Sequence, residues 1–126
     1  MRIVPQLQAY ATLIKIDFMM RSKSLESIFH LIRSRVPART SPGSVVSISE
    51  LCRTIDLACV FYVKPVLCLQ RSAATVLMLR RYGWHAEMVI GVQVVPFKSH
   101  AWAEVDQKVV NDKPYMHEIY GELHRC

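Results

Sequence analysis

Residues 69–82 set Leu69, Ala73, Val76, Leu77 and Leu79 around nearly the whole circumference of a helix. A helix with so little polar surface belongs in the middle of a domain, covered on more than one side. Gly83 follows as a natural C′ residue, and Arg80 and Arg81 complement the negative helix end. The period then switches from 3.6 to 2. Ala86 to Val95 is a β-branched run that reads as a strand, followed after Pro96-Phe97-Lys98-Ser99 by His100 to Val105 and, beyond a short polar turn, by Lys108 to Asp112. Three antiparallel strands are expected to cover one side of the central helix.

The segments before the central helix supply its other cover. Gln6 to Arg21 carries Leu7, Tyr10, Ala11, Ile14 and Phe18 at helical spacing, which reads as the buried face of a first helix. Ser24 caps a second helix with Leu25, Ile28, Phe29 and Ile32 on one stripe, ending before Pro37. Residues 37–47 collect Pro, Gly, Ser and Thr and form a loop. Ser49 reads as the cap of a third helix through Leu51, Ile55, Ala58, Cys59 and Tyr62, stopped at Pro65. The tail from Tyr115 to His124 reads as a last short helix. The expected fold is α+β: a helical N-terminal half packed on a central helix and a small antiparallel sheet. It forms a single domain over residues 1–126, with a helical subregion at 1–64 and the functional helix and strands at 65–115.

A chain of 126 residues that is 52% hydrophobic has enough apolar side chains for its own core and is not disordered. Its apolar runs are interrupted by Lys15 and Asp17, and by Asp56 and Lys64, too soon for a membrane span. No apolar run leads from the N-terminus to a small-residue cleavage site, so a cytoplasmic protein is expected. The net charge of +6 is spread along the chain rather than gathered into a stripe or arm. That distribution argues against a nucleic-acid partner and suits a solvated surface with some attraction for an acidic polypeptide.

Four cysteines are present, none in a C-x-x-C and none at zinc-ligand spacing, so no metal or cofactor is called for. Cys52 and Cys59 read as small core hydrophobes, and Cys126 as a mobile terminal residue. Cys68 differs because it opens the central helix, where free backbone N–H groups and the helix dipole favour a thiolate and can hold an oxyanion. On the following strand His100, Trp102 and Glu104 share one face. A three-residue loop at Val105-Asp106-Gln107 pairs Glu104 with Lys108, Trp102 with Val110 and His100 with Asp112. A carboxylate then lies beside the imidazole, which is how a base for a cysteine nucleophile is oriented. Asp106, at the turn, is too far along the strand to serve, and Glu87 is not beside His100. His30, His85, His117 and His124 have no partner at useful spacing and read as surface or rim residues.

Cys68-Leu-Gln-Arg-Ser72, Leu79-Arg-Arg-Tyr-Gly83, Gly91-Val92, Pro96-Phe97 and His100-Ala-Trp-Ala-Glu-Val-Asp106 closely resemble the leader peptidases of lasso peptide biosynthesis, a transglutaminase-like branch of the papain-fold cysteine proteases. The resemblance covers about residues 60–115 strongly and departs at Ala103 and Gln107, where that family often has Val and usually Gly. It implies Cys68 as nucleophile, His100 as general base and then acid, and Asp112 as orienting carboxylate. Leu69, Arg71, Ser72 and Trp102 are candidates for oxyanion or site support, with Trp102 equally readable as a packed aromatic. It further implies removal of the leader from a ribosomally made precursor peptide, ahead of ring closure by a separate ATP-dependent cyclase. The chain's length suggests the stand-alone protease of a split system, partnered by a separate leader-recognition protein. Two alternatives share these residues: a transglutaminase-like acyl transferase on another peptide, and a non-catalytic module that presents the precursor.

Overall fold

A computed structural model describes residues 3–39 and 46–126. Its elements in chain order are α1 (Ile3–Ser22), α2 (Leu25–Ser34), α3 (Ile48–Val60), α4 (Cys68–Arg81), β1 (Ala86–Gln93), β2 (Lys98–Val105), β3 (Lys108–Val109), α5 (Met116–Ile119) and β4 (Gly121–Arg125). The fold is α+β, with α4 between the first three helices and the sheet. Ala73, Ala74, Val76, Met78 and Leu79 of α4 are all buried, so its lack of a polar face is matched by cover on both sides. Gly83 adopts a left-handed φ of 95°, the conformation a helix-ending glycine supplies at least cost.

Helix α1 turns the other way from the sequence expectation. Pro5, Ala9, Thr12, Leu13 and Ile16 are the buried residues, while Leu7, Ile14 and Phe18 are exposed. Apolar side chains occur on both faces of this helix, so periodicity could not choose between them. Contact with α3 and α4 selects the face with small Ala9, and Thr12 satisfies its hydroxyl internally by donating to the Gln8 carbonyl. Helix α2 buries Ile28 and Ile32 as its stripe predicts. Its N-cap is Ser24, although the hydroxyl makes no capping bond. The cap of α3 is Ser47, not Ser49: the Ser47 hydroxyl accepts from the Glu50 N–H, three residues on. Of the loop expected at 37–47, residues 40–45 lie outside the described residues.

The sheet has four strands in the order β3-β2-β1-β4. The tail is therefore not simply a helix: after the single turn of α5, β4 runs antiparallel to β1. Cys126 is not mobile, since it exchanges backbone hydrogen bonds with Met88 and is buried. Strands β1 and β2 pair from Ala86↔Val105 to Gln93↔Lys98. Ala86, Met88, Ala103 and Val105 join the main core with α4, whereas Val89 and Trp102 form a second small core with Met116, Val109 and Tyr120 on the opposite face. Gly91 is required there. A Cβ at this position would come within 2.7 Å of both the Trp102 ring and the Tyr120 Cβ.

The β2–β3 turn departs from the expected register by one residue. The pairs are Val105↔Lys108 and Glu104↔Val109, with Asp106 and Gln107 alone forming the turn at left-handed φ of 52° and 64°. A two-residue turn with both φ positive matches the twist of the strands it joins, which explains why it displaces the three-residue alternative. Glu104 consequently pairs with other groups than Lys108. Strand β3 ends at Val109, so its pairing with β2 stops at Glu104, short of His100.

Candidate active site

Cys68 is the first residue of α4. The start of the helix is closed by Gln70, whose side-chain oxygen accepts from the Leu67 N–H at 3.0 Å. The Arg71 N–H reaches the Leu67 carbonyl at 2.9 Å. The N–H groups of Cys68, Leu69 and Gln70 have no acceptor within the helix, as at any helix start. Cys68 is half-buried and opens on a cavity of about 430 Å³ lined by Asp56, Cys59, Val60, Val66 and Arg71. The Leu69 side chain packs on the main core. A wider groove of about 720 Å³ lies between α1 and α2, around Phe18 and His30, away from Cys68, His100 and Asp112.

His100 and Asp112 meet despite the shifted register. The His100 Nε2–H donates to Asp112 Oδ2 at 2.6 Å, and Asp112 Oδ1 accepts from the Lys113 N–H at 2.8 Å. Burial alone would raise the Asp112 carboxyl. The His100 hydrogen bond, the Lys113 amide and the charges of His100 and Arg71 outweigh it and hold the group below its ordinary value. With Nε2 committed, Nδ1 is the ring nitrogen left for proton exchange. The imidazole stacks on Tyr120 at 5.5 Å between ring centroids, 26° from parallel, and lies 6.2 Å from the Trp102 ring. Trp102 is wholly buried, so it is a packed aromatic beneath the histidine and not a wall that a ligand could touch.

Among the described residues no hydrogen bond joins Cys68 to His100. Arg71, one turn into α4, lines the same cavity as Cys68 and reaches the segment that carries Asp112. Its guanidinium donates to the Asn111 carbonyl at 3.0 Å and to Asp56 at 3.4 Å, and lies 3.9 Å from Asp112 Oδ2. Ser72 is fully buried and donates to the Ala101 carbonyl at 3.0 Å. Both residues therefore hydrogen-bond from α4 to the backbone next to Asp112 and next to His100. Asp106 and Glu87 are remote from the imidazole: Asp106 sits at φ 52° in the turn, and Glu87 binds Arg125.

Several contributors escaped the sequence reading. Asn111 is buried, with Oδ1 accepting from the Ala103 N–H at 2.7 Å and Nδ2 donating to Ser72 at 3.1 Å. Beneath the Trp102–His100 face lies Glu104, 1% exposed, which accepts from Trp102 Nε1 at 2.7 Å and from His117 Nε2 at 2.5 Å. Arg125 sits 3.0 Å from its other oxygen. Arg125 also reaches Glu87, which is directly opposite Glu104 across β1 and β2, and so offsets the repulsion of two facing carboxylates. His117 is thus a partner of a buried acid, not a bystander, and His124 packs on Phe29 and contacts Arg33. An alternating strand pattern flags Glu104 as sharing the His100 face, but its partners come from α5 and β4, whose placement is not local information.

Two comparisons bear on this geometry. The transglutaminase-like superfamily model matches residues 12–125. The microcin J25-processing protein McjB of Escherichia coli is 43% identical over 51 residues, which is 40% of this chain and 24% of that protein. The match thus spans about a quarter of that relative's length. No solved structure matches. Among the described residues, no helix is long and apolar enough to cross a membrane.

Proposed function

This chain belongs to the transglutaminase-like superfamily, and from that premise we propose that it is a cysteine peptidase removing the leader from a lasso peptide precursor. The observation that carries the reading is the 2.6 Å His100–Asp112 hydrogen bond, with Arg71, which lines the Cys68 cavity, 3.9 Å from the same carboxylate. The partial identity with a microcin-processing protein supports the substrate class.

In this reading His100 Nδ1 takes the Cys68 thiol proton, and the sulfur attacks the carbonyl carbon of the scissile peptide bond. First-turn N–H groups of α4 receive the negative charge that develops on the carbonyl oxygen. The protonated imidazole returns its proton to the departing amine, leaving an acyl-enzyme that water, deprotonated by the same ring, hydrolyses. Asp112 fixes the tautomer with hydrogen on Nε2 and stabilises the imidazolium. The scheme does not require a direct thiol–imidazole hydrogen bond before substrate binds, because catalytic hydrogen bonds commonly tighten only in the substrate complex. Following the resemblance, grip on the leader is assigned to a separate recognition protein, and the freed core peptide passes to an ATP-dependent cyclase.

The test is to incubate the protein with the precursor, with and without the recognition protein, and to weigh the products. Two free fragments, lost in Cys68→Ala, are expected. A mass corresponding to a peptide conjugate points instead to acyl transfer, and an intact precursor whose ring closure still depends on this protein points to a presenting module.

A further inference from the structure

Resting on the peptidase reading, we propose that Asn111 is the positioning residue that sets Cys68, His100 and Asp112 relative to one another. The three groups sit on three separate elements: α4, β2 and the segment beyond β3. Asn111 bonds to all three. Its own backbone precedes Asp112, its side-chain N–H donates to Ser72 on α4, and its side-chain oxygen accepts from Ala103 on β2. Ser72 closes the circuit by donating to the Ala101 carbonyl, next to His100. Arg71, also on α4, donates to the Asn111 carbonyl.

The bond to Ala103 explains how Asp112 reaches the imidazole at all. The Val110 N–H donates to the Ala103 carbonyl at 3.0 Å, which continues the β2–β3 ladder one residue past β3. In a regular antiparallel pair the Ala103 N–H would answer by donating to the Val110 carbonyl. Here it donates to the Asn111 side chain instead. The side-chain amide thus stands in for a backbone acceptor and releases the main chain from the ladder at Val110. Strict continuation of the register would set Lys113, not Asp112, opposite His100. A cation there would repel the imidazolium that Asp112 stabilises. An amide suits this node, because it offers an acceptor to Ala103 and a donor to Ser72 from two separate atoms; a carboxylate lacks the donor and an aliphatic side chain lacks both.

Asn111→Ala is therefore expected to let the segment fall back into the ladder and so to reproduce the defect of Asp112→Asn. The expected loss is about tenfold or more in kcat with KM within a few-fold. The same variant should lose the low-field His100 imidazole N–H proton resonance in NMR spectra, and iodoacetamide should alkylate Cys68 about tenfold more slowly near neutral pH. Combined with Asp112→Asn it should cost nothing further, since both remove one interaction. A folded Asn111→Ala protein that keeps the resonance and the alkylation rate, or whose loss multiplies with that of Asp112→Asn, overturns the proposal. Ser72→Ala removes the Asn111–Ser72 and Ser72–Ala101 bonds and leaves the Ala103 bond. A several-fold slower Cys68 alkylation supports the node if Asn111→Ala fails to fold, and a rate equal to wild type refutes it. Precursor cleavage that persists in Cys68→Ala would instead sink the peptidase reading, whatever the resonance shows.

Discussion

Among single residues, two acids and four thiols have to be told apart. Asp112 touches the His100 ring, whereas Asp106 lies in the turn at the far end of β2. Asp112→Asn is expected to slow precursor cleavage by about tenfold or more with the fold intact, and Asp106→Asn to stay within a few-fold, measured as cleavage rates on one precursor. Among the thiols, burial is decisive. It pushes Cys52 up to about 11, helped by the charge of Asp56, and it also raises Cys59 and Cys126. These three carry little thiolate at neutral pH. Limiting iodoacetamide, read by peptide mass mapping, should mark Cys68 first; equal, slow labelling of all four would remove the case for an activated nucleophile.

Between elements, Glu104 ties β2 to α5 and β4 through His117 and Arg125. Its burial would raise the carboxyl, but hydrogen bonds from Trp102, His117 and Arg125 outweigh that and hold it below its ordinary 4.5. A carboxyl with a folded value below its unfolded value binds fewer protons when folded. Its contribution to stability is complete above the unfolded value and is lost as pH falls below 4.5 toward the folded value. Glu104→Gln is expected to cost about 2–3 kcal/mol at neutral pH, in line with hydrogen bonds to a charged group. It should also flatten the acid limb of a stability profile obtained by urea unfolding from neutral pH to about pH 3. An acid limb as steep as wild type would show that other carboxyls govern it.

Across the molecule, α1 is the element whose orientation most changes the surface. Leu13 is 2% exposed in the core while Leu7 and Phe18 are 65% and 66% exposed. Leu13→Ala is expected to cost about 2–5 kcal/mol, as large-to-small core changes do. Leu7→Ser and Phe18→Ser should each stay within about 0.5 kcal/mol of wild type. Urea melts of the three variants check the pattern, and a large loss at Leu7 would mean that the helix is rotated to the face its periodicity suggested.

Local pattern was sufficient for the α+β class, the all-round burial of α4, the stop at Gly83 and the placement of Cys68 at a helix start. Each of these rests on one or two turns of helix or a single strand, where spacing decides which side chains share a face. Pairing arithmetic also brought His100 and Asp112 together, through a loop length that differs from the real one by one residue. The contact exists because Asn111 breaks the ladder, a compensation that no pairing rule contains. The buried face of α1, the fourth strand, the burial of Cys126 and the partners of Glu104 were settled by long-range packing. In each case two local solutions were nearly equal, or the partner lay on a distant segment, and contact with other elements selected the outcome.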